Sequence, residues 1–324
     1  MQAVILAAGR GKRLHPITLN RSKAMLPILG KPMIARIMDT IASCGILEFI
    51  VVIAPGDQQL VNYFQENPQP GKEIHFVEQP EPKGMAHALR YTESFITCDF
   101  ILSACDSLIS PNDFASMIST WRTEPQPSAI LALMPVKPEQ ASQTAIVILK
   151  DGWITQIIEK PAPHQVLSNI ASLPIYLFNR QIFHHLSQIR PSARGELELQ
   201  DAIQSVINHQ GKVRGLLISD RSNLTSAQDL LEINLQFLKT ESPQTILEPV
   251  RIGIHVVFIP PYYIGPGTVI ENQCVIGPNV YIESNCIIGK GCRISHAVLL
   301  RGSSVDAGQT RENTIIFAGQ SNVV

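Results

Sequence analysis

The sequence predicts a Rossmann-like α/β domain over residues 1–240 and a left-handed parallel β-helix over residues 250–324. Two patterns carry this prediction. The first region alternates short apolar strands with stretches of helical periodicity, which is typical of a doubly wound mixed sheet, mainly parallel and covered by helices on both faces. The second region repeats isoleucine every six residues, which is the pattern of a parallel β-helix.

The composition limits the classes of protein to which the chain can belong. With 324 residues, of which 45% are apolar and 16% charged, the chain is long enough for two domains with buried cores. A formal net charge of -1 without basic runs does not favour nucleic acid or a membrane surface as a partner. The chain has no run of about 18 apolar residues and no leader-like start, so we expect a cytoplasmic protein.

The α/β region shows its elements in order along the chain. Apolar runs at residues 2–7, 49–54 and 100–104 predict strands that are covered on both faces. Apolar residues at helical spacing predict helices at residues 32–44, 84–96 and 113–122. In sheets of this kind a ligand binds at the carboxyl ends of the strands, where the strand order reverses.

The C-terminal region follows a hexapeptide repeat. Small or β-branched residues stand four positions after each large apolar residue, and three of them are cysteines, which gives those cysteines a packing role. The large apolar positions are Ile264, Ile270, Ile276, Ile282, Ile288, Ile294 and Leu300. We expect roughly three coils, connected to the first region by a linker at residues 240–250 that contains Pro243 and Pro249. The six cysteines form no CxxC pair, so neither a zinc site nor a redox motif is indicated.

The segment of residues 6–32, which we call the phosphate loop, reads LAAGRGKRLHPITLNRSKAMLPILGKP. A strand leads into Gly9 and Gly11, where backbone N–H groups can approach phosphate oxygens and a positive φ is tolerated. Arg13 supplies a permanent planar cation and Lys23 a second one. The segment matches neither the GxxxxGK[ST] nor the GxGxxG pattern.

The whole segment resembles the sugar-1-phosphate nucleotidyltransferase family, whose motif is close to LAAGxGxRLxPxTxxxxKxxxPxxGKP. The resemblance implies the nucleotidyltransferase fold, with Arg13 and Lys23 as catalytic cations. It also implies that the nucleotide contacts Leu6, Ala8, Gly9 and Gly11. The long-form glucose-1-phosphate thymidylyltransferases, which carry a C-terminal left-handed β-helix, are the most similar branch.

The resemblance continues to residue 240 and assigns further residues. EQPEPKGMAHAL (residues 78–89) is similar to the segment that reads uracil or thymine, which implies roles for Gln79 and Gly84. Asp106, after the strand at residues 100–104, matches the magnesium-binding aspartate, and one carboxylate with phosphate oxygens and water suits Mg²⁺. IIEKP implies that Glu159 binds the sugar and Lys160 its phosphate. RPSARGELELQDAI (residues 190–203) implies that Glu196 lies near the sugar.

Two positions depart from the family pattern. Asn223 stands where a second metal-binding aspartate is usual, and it brings an amide oxygen but no charge. Pro174 replaces the glycine of a GIY pattern beside the sugar, which removes a backbone donor. These two changes leave the identity of the sugar undetermined.

The sequence therefore predicts a Mg²⁺-dependent enzyme that condenses dTTP or UTP with a hexose 1-phosphate, such as glucose 1-phosphate, and releases pyrophosphate. We expect in-line attack without a general base, because the nucleophile and the leaving group are both charged at neutral pH. We also expect a homo-oligomer assembled through the β-helix. Two alternatives stay open: a weakly active, regulatory protein that binds nucleotide sugars, and a bifunctional enzyme whose β-helix transfers acyl groups with His255 or His296 as base.

Overall fold

The computed structural model describes residues 1–123, 126–241, 243–317 and 320–321. The chain divides into two compact units, each built from several chain segments. The first unit comprises Met1–Arg10, Ser22–Ala24 and Ile34–Arg221. The second comprises Gly11–Arg21, Met25–Met33 and Ser222–Val324. Much of the phosphate loop therefore belongs to the same unit as the C-terminal region.

The helices and strands of the described residues are numbered in chain order. The helices are α1 (Met33–Ala42), α2 (Gln58–Glu66), α3 (Met85–Arg90), α4 (Pro111–Trp121), α5 (Pro138–Ala141), α6 (Ile182–Gln188), α7 (Leu199–Gln210) and α8 (Ala227–Glu241). The strands up to residue 223 are β1 (Gln2–Leu6), β2 (Pro27–Ile28), β3 (Lys31–Pro32), β4 (Glu48–Ile53), β5 (Glu73–Glu78), β6 (Phe100–Ala104), β7 (Ser107–Ile109), β8 (Ala129–Pro135), β9 (Ala145–Lys150), β10 (Trp153–Glu159), β11 (Ile170–Phe178), β12 (Val213–Leu217) and β13 (Arg221–Asn223).

The strands after α8 are short and continue the numbering. They are β14 (Gln244–Ile246), β15 (Arg251–Ile252), β16 (Val257–Phe258), β17 (Tyr262–Ile264), β18 (Val269–Ile270), β19 (Val275–Ile276), β20 (Val280–Ile282), β21 (Ile287–Ile288), β22 (Arg293–Leu299), β23 (Ser304–Val305), β24 (Thr310–Phe317) and β25 (Gln320–Ser321). None of the helices in the described ranges combines the length and the apolar character needed to cross a membrane.

The first unit contains one nine-stranded sheet in the order β5-β4-β1-β6-β11-β8-β12-β10-β9. Strands β5, β4, β1 and β6 are parallel to one another, and β11 runs antiparallel to both β6 and β8. The prediction of a doubly wound mixed sheet is thereby confirmed, but the expectation that it is mainly parallel is wrong. Of the eight neighbouring pairs in this order, four are parallel and four are antiparallel. The strands β1 and β4 are buried almost throughout, as expected for strands with both faces covered.

The predicted elements of this unit are found, with shifted ends. The strand at residues 100–104 has the predicted bounds, whereas the helix predicted at residues 84–96 stops at Arg90 and continues as turns. Helix α4 begins at Pro111, earlier than predicted, because Ser110 caps it by accepting a hydrogen bond from the amide of Asp113 at 3.1 Å.

The strand order reverses next to β1, which lies between β4 and β6. Leu6 and Ala104 are paired in register, so β1 and β6 end side by side. The amide of Cys105 donates to the carbonyl of Leu6 at 3.1 Å and extends this pairing by one step. The residues that follow these two strands therefore lie at the switch point, where open α/β sheets bind ligands.

The second unit contains the parallel β-helix that the repeat predicts. Strands pair in parallel with strands one coil later, for example Val269 with Ile287 and Val275 with Arg293, 18 residues apart. The predicted large apolar positions are all buried, between 0% and 5% exposed. Cys274, Cys286 and Cys292 are fully buried beside them, as their packing role requires.

Two features of the β-helix differ from the expectation. The last two coils are one residue shorter, so Leu299, and not Leu300, pairs with Ile282, and Ile316 pairs with Leu299. The helix also begins earlier, because β14 lies inside the segment predicted as a linker and pairs with β17. Ile246, Ile252 and Phe258 continue the six-residue spacing backwards from Ile264. The six-residue pattern is weaker in this coil because Phe258 replaces an isoleucine and prolines interrupt it.

Candidate functional site

An ion pair between a buried lysine and a half-buried aspartate lies at the carboxyl end of β6. The ammonium of Lys23 donates to a carboxylate oxygen of Asp106, and the hydroxyl of Ser107 donates to the other oxygen at 3.3 Å. The two charged side chains are 10% and 20% exposed. The structure thus brings together two residues that are far apart in the sequence, at the edge of the sheet where the strand order reverses.

Cys105 precedes this aspartate and is buried. Burial, together with the nearby charge of Asp106, raises the pKa of its thiol to about 12. The thiol therefore stays protonated at neutral pH and acts as a packing group, since only the thiolate is an effective nucleophile.

The two glycines of the phosphate loop have different geometries. Gly9 is exposed and is not in the left-handed region, and a Cβ built on it meets nothing within 4 Å. Gly11 has a φ of 60° and opens the short turn Lys12–Leu14, which carries the exposed side chain of Arg13. The hydroxyl of Thr18 donates to the carbonyl of Gly11 at 2.9 Å and holds this turn. A need for positive φ thus explains Gly11 but not Gly9. Leu6 and Ala8, which lead into this loop, are both 8% exposed.

Gln79 follows β5 and is held in a defined orientation. It is 6% exposed, and its side-chain amide nitrogen donates to the carbonyl of Gly84 at 3.3 Å and lies 3.1 Å from Nδ1 of His87. Gly84 has a φ of 98°, and a Cβ there would lie 2.6 Å from the carbonyl oxygen of Leu197. Glycine is therefore required at this position on two grounds. Burial lowers the pKa of His87, so its ring is neutral at pH 7.

A second charged cluster lies at the end of β10. Glu159 is 16% exposed, and its carboxylate oxygen is 3.7 Å from the ammonium of Lys160 and 3.7 Å from the guanidinium of Arg194. The same guanidinium donates to Glu198 at 2.9 Å. Burial raises the pKa of Glu159, although Lys160 and Arg194 act in the opposite direction. Lys160 itself has a φ of 45°, a strained conformation of the kind found at ligand sites.

This cluster borders a cleft of about 410 Å³. The residues that line the cleft include Gln156, Glu159, Gln165, Ser192, Arg194, Glu198, Asp201 and Gln204. Its volume falls in the range of small-molecule sites. The amide of Leu197 donates to the carbonyl of Lys83 at 2.8 Å, so the segment with Arg194 and Glu198 lies against the loop that carries Gly84.

Three residues in these clusters were not identified from the sequence. His87, Arg194 and Glu198 all lie inside motif segments that the sequence had singled out, but only the structure shows which side chains meet. The carboxylate that binds Arg194 belongs to Glu198, which is buried, and not to the half-buried Glu196. The role of Glu196 near the sugar stays a prediction.

The two departures from the family pattern are also placed by the structure. Asn223 ends β13 and is half-buried. Pro174 lies in β11, where the pairing with β8 shifts register between Ser172 and Tyr176. A proline, which donates no backbone hydrogen bond, is tolerated at such an irregularity.

The donor set fits a magnesium ion that is shared with a phosphorylated substrate. Among the described residues, no group of three His, Cys, Asp or Glu side chains is arranged to hold a metal ion. Asp106 offers a partly exposed carboxylate, and Mg²⁺ is usually held by one or two carboxylates together with substrate phosphates and water.

The fold defines the class: a Rossmann-like α/β protein of the nucleotidyltransferase type with a C-terminal parallel β-helix. The family model described as "Nucleotidyl transferase" matches residues 2–240, and the chain belongs to this family. A second model, described as "GMPPB C-terminal domain", matches residues 258–323.

Curated relatives are similar over different shares of the chain. The UTP–glucose-1-phosphate uridylyltransferase AglF of Haloferax volcanii is 33% identical over 64% of this chain and 84% of its own length. The glucose-1-phosphate thymidylyltransferase of Streptomyces griseus is 28% identical over 98% of this chain and 92% of its own. The chain spans only 54% of the bifunctional protein GlmU of Methanococcus maripaludis, to which it is 31% identical.

Solved structures share the fold. A UDP-glucose pyrophosphorylase solved with UDP-glucose superimposes with a TM-score of 0.67 at 25% identity, covering 74% of this chain and 99% of that one. A putative glucose-1-phosphate thymidylyltransferase from Bacillus anthracis gives a TM-score of 0.65 at 24% identity and covers 73% of this chain and 94% of its own.

Proposed function

We propose that this nucleotidyltransferase condenses a pyrimidine nucleoside triphosphate, dTTP or UTP, with glucose 1-phosphate to give the nucleotide sugar and pyrophosphate. The observation that carries the proposal is the ion pair of Lys23 and Asp106 at the switch point of the sheet. A cation and a carboxylate, placed where such sheets bind ligands, suit a substrate that brings phosphates and a divalent ion. The similarity to uridylyltransferases and thymidylyltransferases supports the same substrates.

Gln79 is the residue proposed to read the base. Its amide nitrogen is held by Gly84 and His87, which leaves the carbonyl oxygen as the group that accepts the N3–H of uracil or thymine. Adenine and cytosine present no ring N–H on that edge, so uracil and thymine are favoured over these two bases. The 5-methyl group of thymine lies outside this hydrogen bond, and Gln79 therefore supports both dTTP and UTP.

Glu159 and Lys160 are proposed to hold the sugar phosphate. Glu159 accepts hydrogen bonds from the hydroxyl groups of the sugar. The Lys160 side chain is 44% exposed, and its ammonium binds the phosphate. Arg194 keeps the Glu159 carboxylate oriented and lies within reach of the same cleft.

The chemistry follows from charge placement. The oxygen of the sugar phosphate attacks the α-phosphorus, the bond to the β-phosphate oxygen breaks, and pyrophosphate leaves with the electron pair. Arg13 and Lys23 neutralise the charge on the nucleotide phosphates, so positioning and electrostatics supply the catalysis. Asp106 is the residue that would hold Mg²⁺, which would supply charge neutralisation on the phosphate oxygens. A part for Asn223 stays a prediction.

The test is a matrix of nucleoside triphosphates against sugar 1-phosphates, scored by pyrophosphate release with magnesium present. We expect release with dTTP or UTP and glucose 1-phosphate, and little with ATP or CTP. Binding of nucleotide sugar without pyrophosphate release would favour the regulatory alternative instead. Acetyl transfer from acetyl-CoA would favour a second activity in the β-helix.

At the level of the whole chain, residues 1–240 are proposed to carry the transferase activity, and residues 250–324 to serve assembly into a homo-oligomer. Support for the second part comes from the first coil of the β-helix, which exposes large apolar side chains. A location in the cytoplasm agrees with substrates of this kind and is part of the proposal.

A further inference from the structure

The β-helix and the phosphate loop are joined by a buried ion pair inside the second unit. The guanidinium of Arg21 binds the carboxylate of Glu283 through two parallel hydrogen bonds, both of 3.0 Å. The Arg21 side chain is 14% exposed and that of Glu283 only 8%. A bidentate pair of this kind fixes the direction as well as the distance between its partners.

A second contact fixes the loop further along the chain. The amide of Gly30 donates to the hydroxyl of Tyr281 at 2.9 Å, and Tyr281 is fully buried. Gly30 has a φ of 77°, and a Cβ there would lie 2.7 Å from the hydroxyl of Tyr263. The loop backbone thus contacts two tyrosines of neighbouring coils, and its positive φ at Gly30 favours glycine.

The two contacts flank Lys23 in the sequence, since Arg21 precedes it and Gly30 follows it. Arg13 lies on the same loop before Arg21, within the second unit. We propose that Glu283, with Tyr281, is a positioning residue for the nucleotidyl transfer, because the β-helix holds the segments of the phosphate loop that carry Arg13 and that flank Lys23 in the sequence. This inference rests on the proposed function of the phosphate loop.

The chemistry of the pair favours positioning over stability. Taking two charges out of water costs about as much as their attraction returns, so buried ion pairs are weak sources of stability, and fixing one geometry is a better-attested use. Glu283 meets this description. It also accepts a hydrogen bond from the amide of Arg301 at 2.8 Å, so its carboxylate is held by the next coil before it binds Arg21.

The repeat provides a matched control. Glu271 follows Ile270 as Glu283 follows Ile282, and it accepts a hydrogen bond from the amide of Lys290, in the next coil, at 2.8 Å. Glu271 is exposed. Glu271→Gln and Glu283→Gln therefore make the same change at equivalent positions of the hexapeptide repeat, and only the second removes the partner of Arg21.

The experiment compares steady-state kinetics of the wild type, Glu283→Gln, Glu271→Gln and Tyr281→Phe. For Glu283→Gln we expect kcat/KM for the nucleoside triphosphate to fall by about 10- to 100-fold, as displaced catalytic groups do. The KM for sugar 1-phosphate stays within a factor of about two, since Glu159 and Lys160 lie outside the loop. Glu271→Gln matches the wild type. Tyr281→Phe shows the same pattern as Glu283→Gln, and it serves as the readout should Glu283→Gln not fold.

A double-mutant cycle completes the test. Arg21→Gln combined with Glu283→Gln should lose no more activity than either single change, because both break one interaction. Additive losses, or a Glu283→Gln enzyme equal to Glu271→Gln, would overturn the inference. A wild-type protein that releases no pyrophosphate would instead refute the proposed function, so the two failures are distinguishable.

Discussion

Arg13 and Lys12 are neighbouring exposed cations on the turn Lys12–Leu14, and only Arg13 has a proposed role in catalysis. We expect Arg13→Ala to lower kcat by about 100- to 1,000-fold, the usual cost of removing one transition-state contact. Lys12→Ala, which removes the same charge from the same turn, should stay within a few-fold of the wild type. Pyrophosphate release measures both. Equal losses in the two variants would show that overall charge, and not the guanidinium of Arg13, matters.

Glu159 carries a cost in stability that its proposed role explains. Burial raises its pKa in the folded state, so its contribution to stability is full below the unfolded pKa of about 4.3 and is lost as the pH rises through the folded value. We therefore expect Glu159→Gln to melt at a higher temperature than the wild type at pH 7, with a difference that vanishes near pH 4, while the KM for sugar 1-phosphate rises.

The matched control for Glu159→Gln is Glu66→Gln, at the exposed end of α2. It should change neither the melting temperature nor the KM. A Glu159→Gln protein that melts lower than the wild type at pH 7 would mean that the attraction of Lys160 and Arg194 outweighs the cost of burial.

At the scale of single residues, motif spacing predicted which side chains to examine, and the structure supplied their partners. The sequence could not show that Asp106 and Lys23 pair, or that Glu198 rather than Glu196 binds Arg194, because both facts depend on how distant segments pack. The sequence did predict that Gln79 and Gly84 lie close together, because both belong to one short loop.

At the scale of elements, β21 offers a sharp test of the repeat. Ile287 and Ile288 are neighbours on this strand, yet the first is 52% exposed and the second is fully buried. We expect Ile288→Ala to cost about 2–5 kcal/mol, as large-to-small changes in cores do, and Ile287→Ala to cost about 0.5 kcal/mol or less.

Hydrogen exchange of the amides in β18 and β21 is the suitable measurement for these two variants. Both tryptophans, Trp121 and Trp153, lie in the first unit, so their fluorescence does not report on the β-helix. Similar losses of protection in both variants would contradict the assignment of inward and outward faces.

Helices and strands could be predicted where apolar spacing and residue type indicate the same element. They were harder to predict where tertiary packing sets the end of an element. The isoleucine spacing predicted the inward face of the β-helix, and the buried apolar runs predicted β1, β4 and β6. The early end of α3 was not predictable, because the apolar spacing continues past Arg90 and local sequence gave no stop. The 17-residue length of the last two coils likewise depends on how strands align between coils.

At the scale of the whole molecule, the sequence indicated two regions but not how the chain distributes between them. The periodicity of the sequence changes near residue 240. The structural units do not divide at that point, because segments of the phosphate loop belong to both of them. Arg21 and Glu283 are 262 residues apart, and no local sequence pattern around either residue predicts that they pair. This long-range pairing lies within the unit that contains both the tail and part of the loop.

Assembly is the remaining property at this scale. The first coil exposes Ile254 and Val257, 66% and 51% respectively, beside Ile252 and Ile259. Such a concentration of exposed apolar side chains within one short segment is typical of an association surface. We expect the wild type to sediment as an oligomer and the double variant Ile254→Asp/Val257→Asp to shift to a smaller species, because association would have to bury two carboxylates. Leu167→Asp, at a site 68% exposed in the first unit, should leave the sedimentation unchanged. A monomeric wild type, or an unchanged double variant, would remove this coil as the assembly surface.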